Sequence, residues 1–224
     1  MTRQPKKESI DRAKALITGG GEERVSLKAP DLRVATFHIV GTAPYVQNKF
    51  SNKAREMMKQ TQMMGSQAKT RKVREPKDFD AVYRGAMHLT EDGKYGIPAN
   101  AFRSALISVC RLIGFKMVLA KLSVFVLPDG FDADDGTPLV FINGEPVAHE
   151  TVGRNDNGSA DIRVRPMWRE WSADVRVRFD ADQFSHKDVA NLLMRVGMQA
   201  GVGEGRPDSK NSGGIGWGTF ELEG

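Results

Sequence analysis

The sequence predicts an α+β fold, a ferredoxin-like βαββαβ core with a long basic insertion after the first strand and a glycine-rich loop near the C-terminus. Three observations carry this. Several short runs alternate at the two-residue period of a half-buried strand. Two segments, one opening at Pro98 and one at Ser185, hold apolar residues at helical spacing between clear start and stop signals. The order of elements is strand, insertion, strand, helix, several strands, helix, strand, which is the βαββαβ unit with additions.

Residues 1–30 are polar and read as an N-terminal arm, with one short helix over 9–17 capped by Ser9; residues 31–224 read as a single domain. Leu32, Val34, Thr36 and His38 alternate with Arg33, Ala35, Phe37 and Ile39, so 32–40 is the first strand, ended by the turn Gly41-Thr42-Ala43-Pro44. Residues 46–79 form the inserted arm, helical over 51–64. Strand character over 80–89 rests on Val82, Tyr83, Ala86, Met87 and Leu89, followed by the turn Glu91-Asp92-Gly93-Lys94. Pro98 opens a helix whose apolar positions are Phe102, Ala105, Leu106, Val109, Leu112 and Ile113, closed by Gly114. Residues 118–127 alternate as a strand, and 139–147 suggest a hairpin around Asn143-Gly144. Strands are expected over 161–165 and 172–179, the latter with Ala173, Val175, Val177 and Phe179 inward. Ser185 and Asp188 make a capping box for a helix reaching Val196, and a last strand covers 217–222.

Charge is unevenly placed. The 224 residues carry 33 Lys+Arg and 28 Asp+Glu, net +5. Residues 1–80 hold 17 basic and 9 acidic side chains, while the rest is slightly acidic. Within Lys49–Lys77 nine basic residues face only Glu56 and Glu75. Such a localised excess suits a polyanion, whose phosphates it would neutralise with salt-sensitive, sequence-independent affinity. Tyr45, Phe50 and Phe79 are the only rings flanking the arm, so backbone contact should outweigh base readout.

Other classes are disfavoured. No apolar stretch approaches the roughly 20 residues of a membrane span. The single cysteine, Cys110, and the polar start MTRQPKKES fit a cytoplasmic protein. The glycines of 201–218 lack a Gly-Lys-Ser/Thr signature, which argues against nucleotide hydrolysis. His38, His88, His149 and His186 are scattered without metal spacing, and Asp132, Asp134 and Asp135 between Gly130 and Gly136 read as a solvated turn. No cofactor, metal or catalytic residue is expected. Arg163, Arg165 and Arg169 with Trp168 and Trp171 form a cationic and aromatic patch suited to cation–π pairing or to an interface.

Three stretches in order resemble the RAMP superfamily, the RRM-like proteins that build class 1 CRISPR effector complexes. Residues 32–45 (LRVATFHIVGTAPY) look like its opening strand and Pro-containing turn, 96–111 (GIPANAFRSALISVCR) like its first helix, and 213–222 (GGIGWGTFEL) like its glycine-rich loop and last strand. The C-terminal half also resembles phage and prophage proteins related to that superfamily, for which the compartment would be the bacterial host cytoplasm. The resemblance implies an oligomeric RNA- or single-stranded-DNA-binding backbone subunit, with the basic arm as a thumb over the strand and other effector subunits as further partners. The nucleic-acid-binding set is then Lys49, Lys53, Arg55, Lys59, Lys69, Arg71, Lys72 and Arg74 of the arm, Arg103 of the helix, Arg163 and Arg165, and Arg206, Lys210, Gly213, Gly214 and Gly216 of the loop. Subunits of the family that cut target RNA carry an aspartate in the loop after the first strand; Gly41–Asn48 has no acid, so binding without cleavage is expected. The alternatives are an endoribonuclease using His38, Tyr45 or His149, and a protein that acts through protein partners held by Trp168 and Trp171.

Overall fold

Alternation along Leu32–Gly41 (β1) turns Ala35, Phe37 and Ile39 inward and leaves Val34 and Thr36 exposed. The computed structural model describes residues 28–50, 52–64, 76–154, 160–209 and 214–223. The chain divides into two units, Met1–Pro30 and Asp31–Gly224, and every named element belongs to the second. The helix expected over 9–17 lies outside the described residues.

The fold is α+β with antiparallel sheets. Along its full length β1 pairs with Ser172–Asp180 (β9), from Leu32↔Asp180 to Val40↔Ser172. On its other side it meets Phe220–Leu222 (β10). The outer edge of β9 is shared: Val124–Leu127 (β4) pairs with one half and Pro138–Asn143 (β6) with the other. Gly96–Pro98 (β3) and Gly130–Phe131 (β5) both join β6. A second sheet joins Tyr45–Val46 (β2), Ala160–Trp168 (β8) and Pro146–Arg154 (β7).

Helices cover the inward face of the larger sheet. Phe102, Leu106 and Val109 of Ala99–Leu112 (α3) pack into one core with Val175 and Val177 of β9 and with Val189 and Leu193 of His186–Arg195 (α5). Each such side chain contributes roughly 1.5–3 kcal/mol by leaving water. The capping box at α5 is present: Ser185 Oγ accepts from the Asp188 N–H at 3.2 Å, and the Ser185 N–H donates back to Asp188 at 2.9 Å. A π-turn, Val196–Ala200, follows, where a Cβ on Gly197 would lie 2.0 Å from the Phe220 carbonyl oxygen, so only glycine lets β10 close on it.

Four expectations are corrected. Residues 79–85 are a helix, α2 (Phe79–Gly85), following α1 (Asn52–Met64): Asp78 caps it by accepting from the Ala81 N–H, and 82, 83, 86 and 87 are spaced as a helix face as much as a strand. Residues 117–123 are a short helix, α4 (Met117–Ser123), and strand geometry begins only at Val124. Residues 139–147 are no hairpin, because the chain leaves one sheet at Asn143 and enters the other at Pro146. Trp168 and Trp171 are buried, 0% and 4% exposed, so they form no surface patch; both pack on Tyr45, and the Trp171 indole N–H donates to the Ala43 carbonyl at 2.8 Å.

Candidate nucleic-acid interface

Strand alternation sorts β8 into two faces. Val164, Pro166 and Trp168 point into the protein, while Arg163 and Arg165 share the opposite face with their β7 partners Thr151 and His149. The glycine loop closes on that second face. The Glu204 N–H donates to the Val46 carbonyl at 2.9 Å, and the Glu204 carboxylate accepts from Arg165 Nε at 2.9 Å. Arg206 donates to the Gly203 carbonyl at 2.9 Å, and the ring of Trp217 lies 5.4 Å from that of His149, nearly perpendicular to it. Gly203, at φ +84°, is forced: a Cβ there would meet the Val46 oxygen and the Tyr45 ring at 2.6 Å. Arg163 and Arg165 on one hairpin face are thus joined by Arg206, distant in sequence, on the loop packed against that face. Arg163 has no polar partner among the described residues. Gly214 and Gly216 lie in the same loop, whereas Lys210 and Gly213 lie outside the described residues.

The arm is rooted differently from the expectation. Lys49 does not face solvent: its side chain is 3% exposed, and its ammonium donates to both Asp132 oxygens at 2.7 and 2.9 Å and to Asp134 at 2.7 Å. His88 Nδ1 lies 2.7 Å from Asp132 as well. Burial works to raise the Asp132 carboxyl, but Lys49, the Asp134 N–H and His88 hold it below the usual carboxylate range. Burial likewise works to lower Lys49, and the two carboxylates still leave it above the ordinary lysine value. Burial lowers His88 against the pull of Asp132, so the imidazole is neutral at pH 7 and its Nδ1–H is the donor. The acidic loop is therefore no solvated turn; Asp132 is a buried counter-ion. His88, Asp132 and Asp135 bring three possible ligand atoms within 4.8 Å of one another, and within this group Asp132 already pairs with the Lys49 ammonium and Asp135 with Arg55. Arg55 pairs with Asp135, and Lys77 with Asp161. Lys59 stands exposed on α1, while the Lys53 side chain and Lys69, Arg71, Lys72 and Arg74 lie outside the described residues.

Arg103 also has an internal task. Its guanidinium donates to the Lys121 and Val124 carbonyls at 2.6 and 3.2 Å, closing the C-terminal end of α4, and it stacks on Phe125. These partners place it with α4 and β4 rather than with the glycine loop. The residues considered for acid–base chemistry are not assembled: His38 pairs with Asp174, Tyr45 is buried beside Gln47, and His149 meets Trp217. Sequence reasoning missed that Arg165 and His149 of the hairpin face meet Glu204 and Trp217 of the loop, respectively, although alternation along 146–154 would have set His149 and Thr151 on one face.

No family model matches the sequence, and no curated protein matches it. Solved structures do, with 28 matching chains. One belongs to the cryo-EM structure of the type III-B Cmr-beta bound to cognate target RNA, with a TM-score of 0.51 and 9% identity over 97% of this chain. The likeness is one of fold. The chain spans 64% of that neighbour's length. Among the described residues no helix is long and apolar enough to cross a membrane.

Proposed function

We propose that this chain binds RNA or single-stranded DNA across the β7–β8 face and the glycine loop, with the basic arm adding phosphate contacts, and that copies of it line up along the strand without cutting it. The observation that carries the reading is the meeting of Arg165 and Arg206 at the glycine loop, with Arg163 on the same strand face as Arg165. Support for a RAMP-like subunit of a CRISPR effector complex comes from the strand order β10-β1-β9-β4, all antiparallel, with α3 and α5 as its helices, which is the order of a ferredoxin-like core. A structural neighbour that belongs to an RNA-bound assembly adds to it.

The test is anisotropy of a labelled single-stranded oligonucleotide titrated over a salt series from about 50 to 200 mM. Each phosphate contact should contribute roughly −0.7 to the slope of log K against log salt. A flat slope, or no binding at the lowest salt, overturns the reading. Incubation with RNA and magnesium should leave the RNA intact; a defined product lost on His38→Ala or His149→Ala would replace binding by cleavage.

A further inference from the structure

Of the three tryptophans, Trp168 and Trp171 are sealed in the core, and Trp217 alone reaches the surface. Its mounting is specific. The six-membered ring lies over Gly205, where a Cβ would stand 2.5 Å from Cε3, and φ is +77°. The Trp217 N–H donates to the Gly205 carbonyl at 3.2 Å, and His149 stands edge-on at 5.4 Å. The indole N–H has no acceptor among the described residues. Ile215, 62% exposed, flanks the same glycine. Arg163, also without a polar partner among the described residues, lies on the shared hairpin face, its β7 neighbour Thr151 two residues from His149.

We infer that Trp217, braced by Gly205 and His149, is a stacking platform for one unpaired nucleobase, with Arg163 receiving an adjoining phosphate. This rests on the nucleic-acid reading above and adds a base-stacking element to the sequence expectation that backbone contact outweighs base readout. A base in a duplex is already stacked on both faces, so the platform selects single strands; every base has a π-face, so it tolerates sequence. A guanidinium on the strand face that carries the indole's brace offers a charge for the phosphate of a nucleotide whose ring the indole stacks.

The experiment compares a uridine oligomer of about twelve nucleotides with an abasic oligomer of equal length and charge, both unlabelled, read by tryptophan fluorescence and by competition against a labelled strand. The uridine oligomer should quench the emission, the quenchable part should vanish in Trp217→Phe, and the abasic oligomer should bind roughly 10-fold more weakly. Trp217→Ala should lose about the same factor for uridine and nothing for the abasic strand. Equal affinity of the wild-type protein for both oligomers overturns the platform while leaving phosphate binding standing, and this arm needs no variant to fold. Absence of binding by either oligomer at low salt overturns the nucleic-acid reading and the platform with it.

Discussion

Lys49 shows how one residue reverses the meaning of its neighbours. Its ammonium is enclosed by Asp132 and Asp134, and His88 bonds the same Asp132 carboxylate. Lys49→Met leaves a buried carboxylate without its cation, and such losses cost about 3–5 kcal/mol. Urea unfolding should show this, and the double variant Lys49→Met/Asp132→Asn should recover a good part; a single variant within about 0.5 kcal/mol of wild type would refute the pairing. The network also sets the pH response. His88 is held below its ordinary value near 6.5, so the unfolded chain binds the extra proton first, and stability falls as pH drops from 6.5 toward the folded value. Asp132, held below 3.8, adds a second loss at lower pH, whereas Lys49, raised above 10.5, keeps its contribution until strongly alkaline conditions. Unfolding free energies between pH 7 and 5 should decline, and His88→Gln should flatten that decline; an unchanged slope refutes the assignment.

Among the elements, α4 is the instructive case. Its seven residues make no long helix, and Arg103 supplies the donors that its last carbonyls lack. Arg103→Ala should therefore lower stability by roughly 1.5–3 kcal/mol, as loss of charged hydrogen bonds does, and leave the salt slope of oligonucleotide binding unchanged. A fall in slope by about one contact with unchanged stability would return Arg103 to the interface. The same element shows what the sequence made legible. β9 and α5 were readable because alternation and a capping box were each strong and local. Residues 118–127 alternate too, yet Ala120 is buried beside α3 and a distant arginine closes the turn, and no local pattern reports either fact. Likewise 82, 83, 86 and 87 satisfy both periods, and the cap at Asp78 decides between them. In the candidate site, Arg163 and Arg165 were visible by charge and alternation, but Lys49 looked like its basic neighbours because its carboxylate lies 83 residues away.

For the whole molecule, the arm and the hairpin face should be separable in binding. Replacing Lys69, Arg71, Lys72 and Arg74 by Ala should reduce the salt slope by up to about 3 and lower affinity for all strands alike, with circular dichroism unchanged. An unaltered slope would confine the interface to the hairpin and loop. Native mass spectrometry on oligomers of increasing length should add whole copies at a fixed nucleotide interval; a constant stoichiometry would refute side-by-side assembly. One feature of the architecture reaches further. Residues 42–95 and 128–171 are braced against each other: β2 joins β8, Lys49 and Arg55 meet the acidic loop, Lys77 meets Asp161, and Tyr83 donates to the Pro146 carbonyl. In any exchange of parts between proteins these two segments travel as a pair. A graft of the first alone arrives with an orphaned ammonium, a graft of the second with an orphaned carboxylate, and only the two together are electrically closed.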